Sequence, residues 1–403
     1  MLKKNIRLIS TRSNTSYPIE RTEESADNGE SLEVRIGGIE NARIKSGRYI
    51  WQRFSDFLPF SDIDASLSLG EGNTTLLKAG KKLLSFTGLN TLYLKNETQN
   101  PTGSFKDRGS LICTAMAKEM HESVTATIST GNMGNSMAAY GAKAGLKVIV
   151  FVPDFIPRDK IMPIGIYGAS VIKITAADYS RMKRTLLALA QKLDLRIVSG
   201  NGPIRVEGYK MTAFELYEQM EGDLPDYIAV PTSACGHVRG IFKGFVELNK
   251  AGIIKKLPKM IVVQAHNNSP VVSAIKQGKK QPIPFKDFHT VAEAITTGDP
   301  PGGDEIIDKA YRYKWLAEDV SEEEIILSQR ILAESGFFVE PASATSLYAI
   351  KKLRKSGKIK DGASVLMMLT GSGLKDTSVL SYHPADVREL DLKAVEAYLS
   401  KKL

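Results

Sequence analysis

Asn100-Pro101-Thr102-Gly103-Ser104-Phe105-Lys106-Asp107-Arg108-Gly109 sets one lysine just after a glycine turn, at the head of an apolar-periodic segment. Beyond it Phe105, Gly109, Ile112, Met116 and Met120 recur at spacings of three and four, which predicts a helix with one buried face. Thr102 or Ser104 is placed to cap that helix, with Lys106 in its first turn. Partial positive charge at a helix N-terminus disfavours a protonated ammonium. A lysine held there is easier to keep as a free amine, the form that attacks a carbonyl. Alone, such a lysine reads as a surface side chain beside a capping turn. The rest of the chain decides otherwise.

Short β-branched runs at 124–129, 147–152, 171–174, 196–199, 227–231, 260–265 and 364–369 alternate with segments of helical length. That alternation predicts an α/β chain of parallel sheets covered by helices, with ligands beyond the carboxyl ends of the strands. Three predicted strand ends run into polar, glycine-containing loops. In Ser129-Thr130-Gly131-Asn132-Met133-Gly134-Asn135, hydroxyl, amide and helix N-terminal N–H groups suit a carboxylate. In Thr232-Ser233-Ala234-Cys235-Gly236-His237, small residues ahead of a helix form a cradle of main-chain donors for a phosphate. The third loop is Thr370-Gly371-Ser372-Gly373-Leu374-Lys375-Asp376. One glycine turn is weak evidence; three of them with the lysine point to an amine-reactive cofactor that carries a phosphate.

The 403 residues, 42% hydrophobic and 25% charged, fit a globular protein of two domains. No run of about eighteen apolar residues occurs, and Met1-Leu2-Lys3-Lys4-Asn5-Ile6-Arg7 lacks a secretory pattern, so neither a membrane nor export is expected. Cys113 and Cys235 are the only cysteines, which excludes a disulfide framework and favours the cytoplasm. The histidines show no metal spacing, so no metal is expected. The net charge of +9 is spread without aromatic interleaving; it suits a small anionic substrate rather than nucleic acid. Residues 1–60 read as an irregular N-terminal arm, loosest over the polar stretch 14–31. Residues 61–205 read as an N-terminal domain with the lysine and a mobile carboxylate-binding part, 206–385 as a C-terminal cofactor-phosphate domain, and 386–403 as a C-terminal helix or tail. Residues 267–304, rich in Pro and Gly, read as a surface wrap, and Ser321 to Glu324 as a capping box.

Together these motifs resemble the fold type II pyridoxal-phosphate enzymes, and among them the threonine synthases, over roughly residues 45 to 380. The resemblance is also carried by Ser68-Leu69-Gly70-Glu71-Gly72-Asn73-Thr74, Arg205-Val206-Glu207-Gly208, Thr290-Val291-Ala292-Glu293-Ala294-Ile295 and Val339-Glu340-Pro341-Ala342-Ser343-Ala344. It implies two domains, each with a mostly parallel twisted sheet flanked by helices, and an active site in the cleft between them. It implies pyridoxal 5'-phosphate as cofactor, Lys106 as its Schiff-base residue, Asn132 at its ring oxygen and Thr370 at its pyridine nitrogen. Ser233, Ala234, Cys235, Gly236 and His237 would hold its phosphate. Ser129, Thr130, Gly131, Asn132 and Met133 would hold the substrate carboxylate, and Arg205 the substrate phosphate. The implied reaction turns O-phospho-L-homoserine and water into L-threonine and phosphate, in an enzyme expected to be a homodimer.

The chain departs from the family in three places. It has no N-terminal zinc ribbon. Ser233, Ala234 and His237 stand where the phosphate loop usually has glycine and asparagines, and Ser199-Gly200 replaces an Asn-Ser pair before Arg205. The last departure keeps open a related enzyme acting on phosphoserine with sulfite, or a dehydratase of hydroxyamino acids. A metabolite-binding relative without turnover ranks below both, since lysine and carboxylate loop are present. Read without the family, Arg205 beside Glu207 is as readily a surface ion pair.

Overall fold

The computed structural model describes residues 1–402 apart from 130, 155, 157, 176–178, 286–288, 384 and 386. The chain opens with β1 (Ile6–Ser10), β2 (Ser16–Tyr17) and β3 (Leu32–Ile36), an antiparallel sheet in the order β2-β1-β3. The reading of residues 1–60 as irregular is therefore corrected. Leu32, Val34 and Ile36 alternate inward along β3, and Trp51, Phe54 and Phe57 are buried behind them.

Next come β4 (Leu76–Lys78) and β5 (Thr91–Asn96), and then β6 (Val124–Ile128), β7 (Lys147–Pro153), β8 (Ser170–Ile174) and β9 (Ile197–Val198). The last four form a parallel sheet in the order β8-β7-β6-β9. The chain then adds β10 (Tyr227–Pro231), β11 (Lys259–Ala265), β12 (Leu316–Val320) and β13 (Ser364–Leu369). These join the earlier pair in a six-stranded sheet, β12-β11-β10-β13-β5-β4, in which only β4 runs antiparallel. Strands covered on both faces need apolar residues throughout, and β10 is buried at every position. Ile228, Val230, Val262 and Leu366 face one side of this sheet, with Val238, Ile241 and Phe245 of the Gly236–Lys250 helix in the same core. Ala229, Val263, Val365 and Met367 face the other, with Leu347 and Ile350 of the Pro341–Lys355 helix.

The predicted strand runs all appear, two of them with the bounds read from sequence. The capping box at Ser321 is formed, and the 267–304 wrap holds a short helix at Pro270–Lys276. Trp51 and Trp315 pack inside, as does Cys113.

A buried ionic knot ties the lysine helix (Lys106–Glu119) to the large sheet. Arg108 spans Glu97, just past β5, and Glu215 of the Met211–Gln219 helix at 2.7 Å each, and Lys95 reaches Glu215 at 2.8 Å. Burial alone would raise the Glu97 carboxyl; Arg108, Lys95 and the Thr74 hydroxyl together outweigh it and hold that carboxyl well below its usual range. Removing one partner from such a network leaves uncompensated buried charge. Arg108→Ala is therefore expected to lower unfolding free energy by about 3–5 kcal/mol in urea titration. A change under about 1 kcal/mol, the scale of an exposed ion pair, would show that the knot is not closed in solution.

Candidate active site

The turn before the lysine is clipped to the end of β13. Gly103, at φ 77°, donates its N–H to Asn100 O at 2.7 Å, a conformation glycine adopts without strain. Phe105 N donates to Thr370 O at 3.0 Å and Ser372 N to Gly103 O at 2.9 Å. The helix then begins at Lys106, but neither expected cap works: no side chain caps it. Thr102 instead donates from its N–H and its hydroxyl to Asp107, both at 2.6 Å, while Ser104 Oγ is buried without a partner.

Lys106 Nζ lies 4.3 Å from the centre of the Phe105 ring and 5.7 Å from that of Tyr209. Its pKa is pushed down to about 7, chiefly by burial and next by Arg205, against an upward pull from Glu340. The amine is thus freed of its proton mainly by desolvation, where the sequence argument relied on the helix dipole.

Beyond β10, Cys235 adopts a left-handed conformation at φ 72° and starts the Gly236–Lys250 helix with no side-chain cap. The first-turn N–H groups at Gly236 and His237 are therefore left without a side-chain acceptor, as an anion site needs. Ser233 Oγ lies 2.6 Å from Thr297 Oγ1, and Ala234 lines the cleft. His237 is 5% exposed, stacks on Phe105 with centroids 3.7 Å apart, and leaves both ring nitrogens unpartnered. Burial holds it neutral, well below its ordinary pKa. Thr370 Oγ1 lies 2.6 Å from Ser343 Oγ.

Three segments meet at Gly200: a Cβ there would lie 4.0 Å from Lys106 Nζ, 3.8 Å from Met133 Sδ and 3.7 Å from Ala234 Cβ. Ser129 Oγ accepts from Gly134 N at 3.0 Å in the first turn of the Asn132–Ala144 helix, whose N-cap is the exposed Gly131. Asn132 Nδ2 donates across the cleft to Glu340 Oε2 at 2.8 Å. Thr130 lies outside the described residues.

Arg205 is fully buried, so the surface-pair reading fails. Glu207 pairs with Lys243 and Lys210 instead. One Arg205 nitrogen reaches Ser110 Oγ at 3.2 Å and the Lys106 carbonyl at 3.5 Å; Nε and the other terminal nitrogen complete no well-formed hydrogen bond, with the buried Tyr209 hydroxyl as their polar neighbour. A buried cation with open donors beside a neutral amine suits a substrate anion. Glu340, Ser343 and Thr297 were not singled out as site residues from sequence. Glu340 and Ser343 sat in a motif noted only for resemblance, and nothing local marked Thr297.

Residues 67–371 match the family model described as pyridoxal-phosphate dependent enzyme. The chain is 38% identical over 329 residues to the threonine synthase of Methanocaldococcus jannaschii, covering 81% of this chain and 80% of that one. It is 35% identical to that of Halalkalibacterium halodurans, covering 84% and 94%. Among solved structures, serine racemase from Dictyostelium discoideum aligns with a TM-score of 0.62 at 24% identity, covering 75% and 92%. Threonine deaminase isoform 2 from Solanum lycopersicum aligns at 0.63 and 17%, covering 85% and 96%. The fold is of type II: α/β, with parallel sheets flanked by helices.

Peptide-mapped labelling of Lys106 by an amine reagent, in ligand-free protein, is expected to rise through pH of about 7. A midpoint near the ordinary 10.5 would overturn the desolvated amine. Between those values the unfolded chain keeps this proton and the folded chain sheds it, so this group makes stability rise with pH across that window.

Proposed function

The chain belongs to the pyridoxal-phosphate-dependent enzyme family, and from that premise we propose that it is a threonine synthase, a carbon–oxygen lyase acting on O-phospho-L-homoserine. The observation that carries the substrate is Arg205, buried and half-unpartnered, touching the main chain of the reactive lysine.

The residues present fit the cofactor. A partnerless His237 and an uncapped helix suit its phosphate, and the Thr370–Ser343 hydroxyl pair suits an uncharged pyridine nitrogen. When bound, pyridoxal phosphate supplies an electron sink for the substrate's carbanions. Lys106 would hold the cofactor and then, as a free amine, would move protons at the substrate's Cα, Cβ and Cγ, the last completing the product's methyl group. Ser233, Ala234, Cys235, Gly236 and His237 would grip the cofactor phosphate, and Asn132, whose amide donates to Glu340 here, would offer its second N–H to the ring oxygen. Residues 129–133 hold the substrate carboxylate. Arg205 holds the phosphate that leaves Cγ, and water adds at Cβ. A homodimer belongs to the same reading by resemblance. A cytoplasmic setting is supported by two cysteines that are both free and buried.

Holoenzyme supplied with O-phospho-L-homoserine is expected to form threonine and phosphate in equal amounts. No threonine, with turnover of phosphoserine or of a hydroxyamino acid instead, would replace this substrate with one of those left open by Gly200. Lys106→Ala should cost about 10²–10⁴-fold in kcat, the scale of a lost general acid–base. Arg205→Gln should raise KM about 10- to 100-fold, the range of a lost charge-assisted hydrogen bond.

A further inference from the structure

Residues 199–202 separate the N-terminal segment from the cleft, and both of their faces are closely packed. On the cleft face, a Cβ on Gly236 would lie 2.0 Å from Gly200 O and 3.0 Å from the Asn201 Cα. On the far face, a Cβ on Gly202 would lie 1.9 Å from Glu24 Oε1. Each glycine admits a contact that a larger residue would block.

The N-terminal segment fastens itself there at several points. Ser199 N donates to Glu24 Oε2 at 2.8 Å. Arg196 donates to Arg21 O at 3.0 Å and to Glu20 O at 3.3 Å, and Gln191 Nε2 to Glu23 Oε1 at 2.7 Å. Asn201 Nδ2 lies 3.4 Å from Ser31 Oγ. Arg239 joins Asn201 O at 3.2 Å and also reaches Leu32 O. Glu24 belongs to a stretch that precedes the family match at residue 67. Its carboxylate nevertheless seats the loop that leads, through Gly202 and Pro203, into the short helix carrying Arg205. Burial raises the Glu24 carboxyl, with the hydrogen bonds from Ser199 pulling it back first and Arg205 and Arg196 after them. Arg205 has no carboxylate at ion-pair distance among the described residues.

We propose that Glu24 is a positioning residue for substrate phosphate: by accepting from Ser199 N and filling the space over Gly202, it holds residues 199–202 and Arg205 in register. The N-terminal segment is then a strap that completes the anion site from behind. Glu24 touches neither cofactor nor reacting atoms. Its loss acts on phosphate binding more than on the chemical step.

The inference rests on the threonine synthase reading for its substrate, but inorganic phosphate binding to the holoenzyme tests it without turnover. Glu24→Ala is expected to raise KM for O-phospho-L-homoserine about tenfold, with kcat within about threefold, and to weaken phosphate binding by calorimetry about tenfold. Glu24→Gln keeps an acceptor and the shape, and should restore both within about threefold of wild type. Should the alanine variant not fold, Glu24→Asp, which withdraws the acceptor by one methylene, should show the same split. The proposal is overturned if a folded alanine or aspartate variant binds phosphate as wild type does. Equal loss in the glutamine and alanine variants overturns it too, by making charge the cause. A wild type that makes no threonine yet binds phosphate more tightly than the variant defeats the substrate reading and supports the strap.

Discussion

The parallel register of β5 against β13 is the constraint on which the site depends. Asn96 lies opposite Leu369, so both strands end at the same level. The turn after β5 and the turn after β13 then run side by side, and Phe105 N can reach Thr370 O. One residue later comes Lys106; on the other strand Thr370 meets Ser343. A slip of one residue would reverse every side chain of β5 between the two cores, so apolar burial fixes the register and the register places the amine. Arg108 fastens the same helix from below.

What was legible in sequence follows how each element is buried. β10 and β13 are covered on both faces and read as continuous apolar runs, so their bounds were recovered. The edge strand β12, Leu-Ala-Glu-Asp-Val, carries two acids at half-buried positions and has no such signal. β4 and β5 were missed too: Leu76 and Leu77 are only partly buried, and β5 places Lys95 inside on the strength of a distant Glu215. The N-terminal sheet was hidden because β1 and β3 lie on either side of the polar stretch 14–31 and β2, inside it, is only two residues long.

The candidate site divides in the same way. The lysine and three loops were visible because glycine and small residues announce themselves at strand ends. Partners brought in from far along the chain were not. Glu340 reaches Asn132 from 208 residues away and Glu24 reaches Ser199 from 175. Local reading even gave Arg205 the wrong neighbour, because Glu207 stands two residues off in sequence and lies in another cluster in space. The burial that lowers the Lys106 amine could not be read from ten residues, so the sequence argument rested on the helix terminus alone.

Buried charge is handled in two ways in this molecule, and the difference separates scaffold from site. Lys243 and Lys210 meet Glu207 and Glu247 in a closed cluster, and Arg108 is bounded by two carboxylates. Such groups have their partners already and gain nothing from a ligand. Around Lys106 polar atoms are left open: two nitrogens of Arg205, the one N–H donor and one acceptor nitrogen of neutral His237, and the uncapped start of its helix. Each open buried donor costs about 1–3 kcal/mol of desolvation that folding does not recover. An anion that satisfies them returns that free energy as affinity, and binding only the folded chain, it stabilises the fold by the same linkage. Polar groups held in this way are preorganised, so they need little rearrangement when charge arrives. The cleft is therefore the part of the protein whose stability is completed by what it binds.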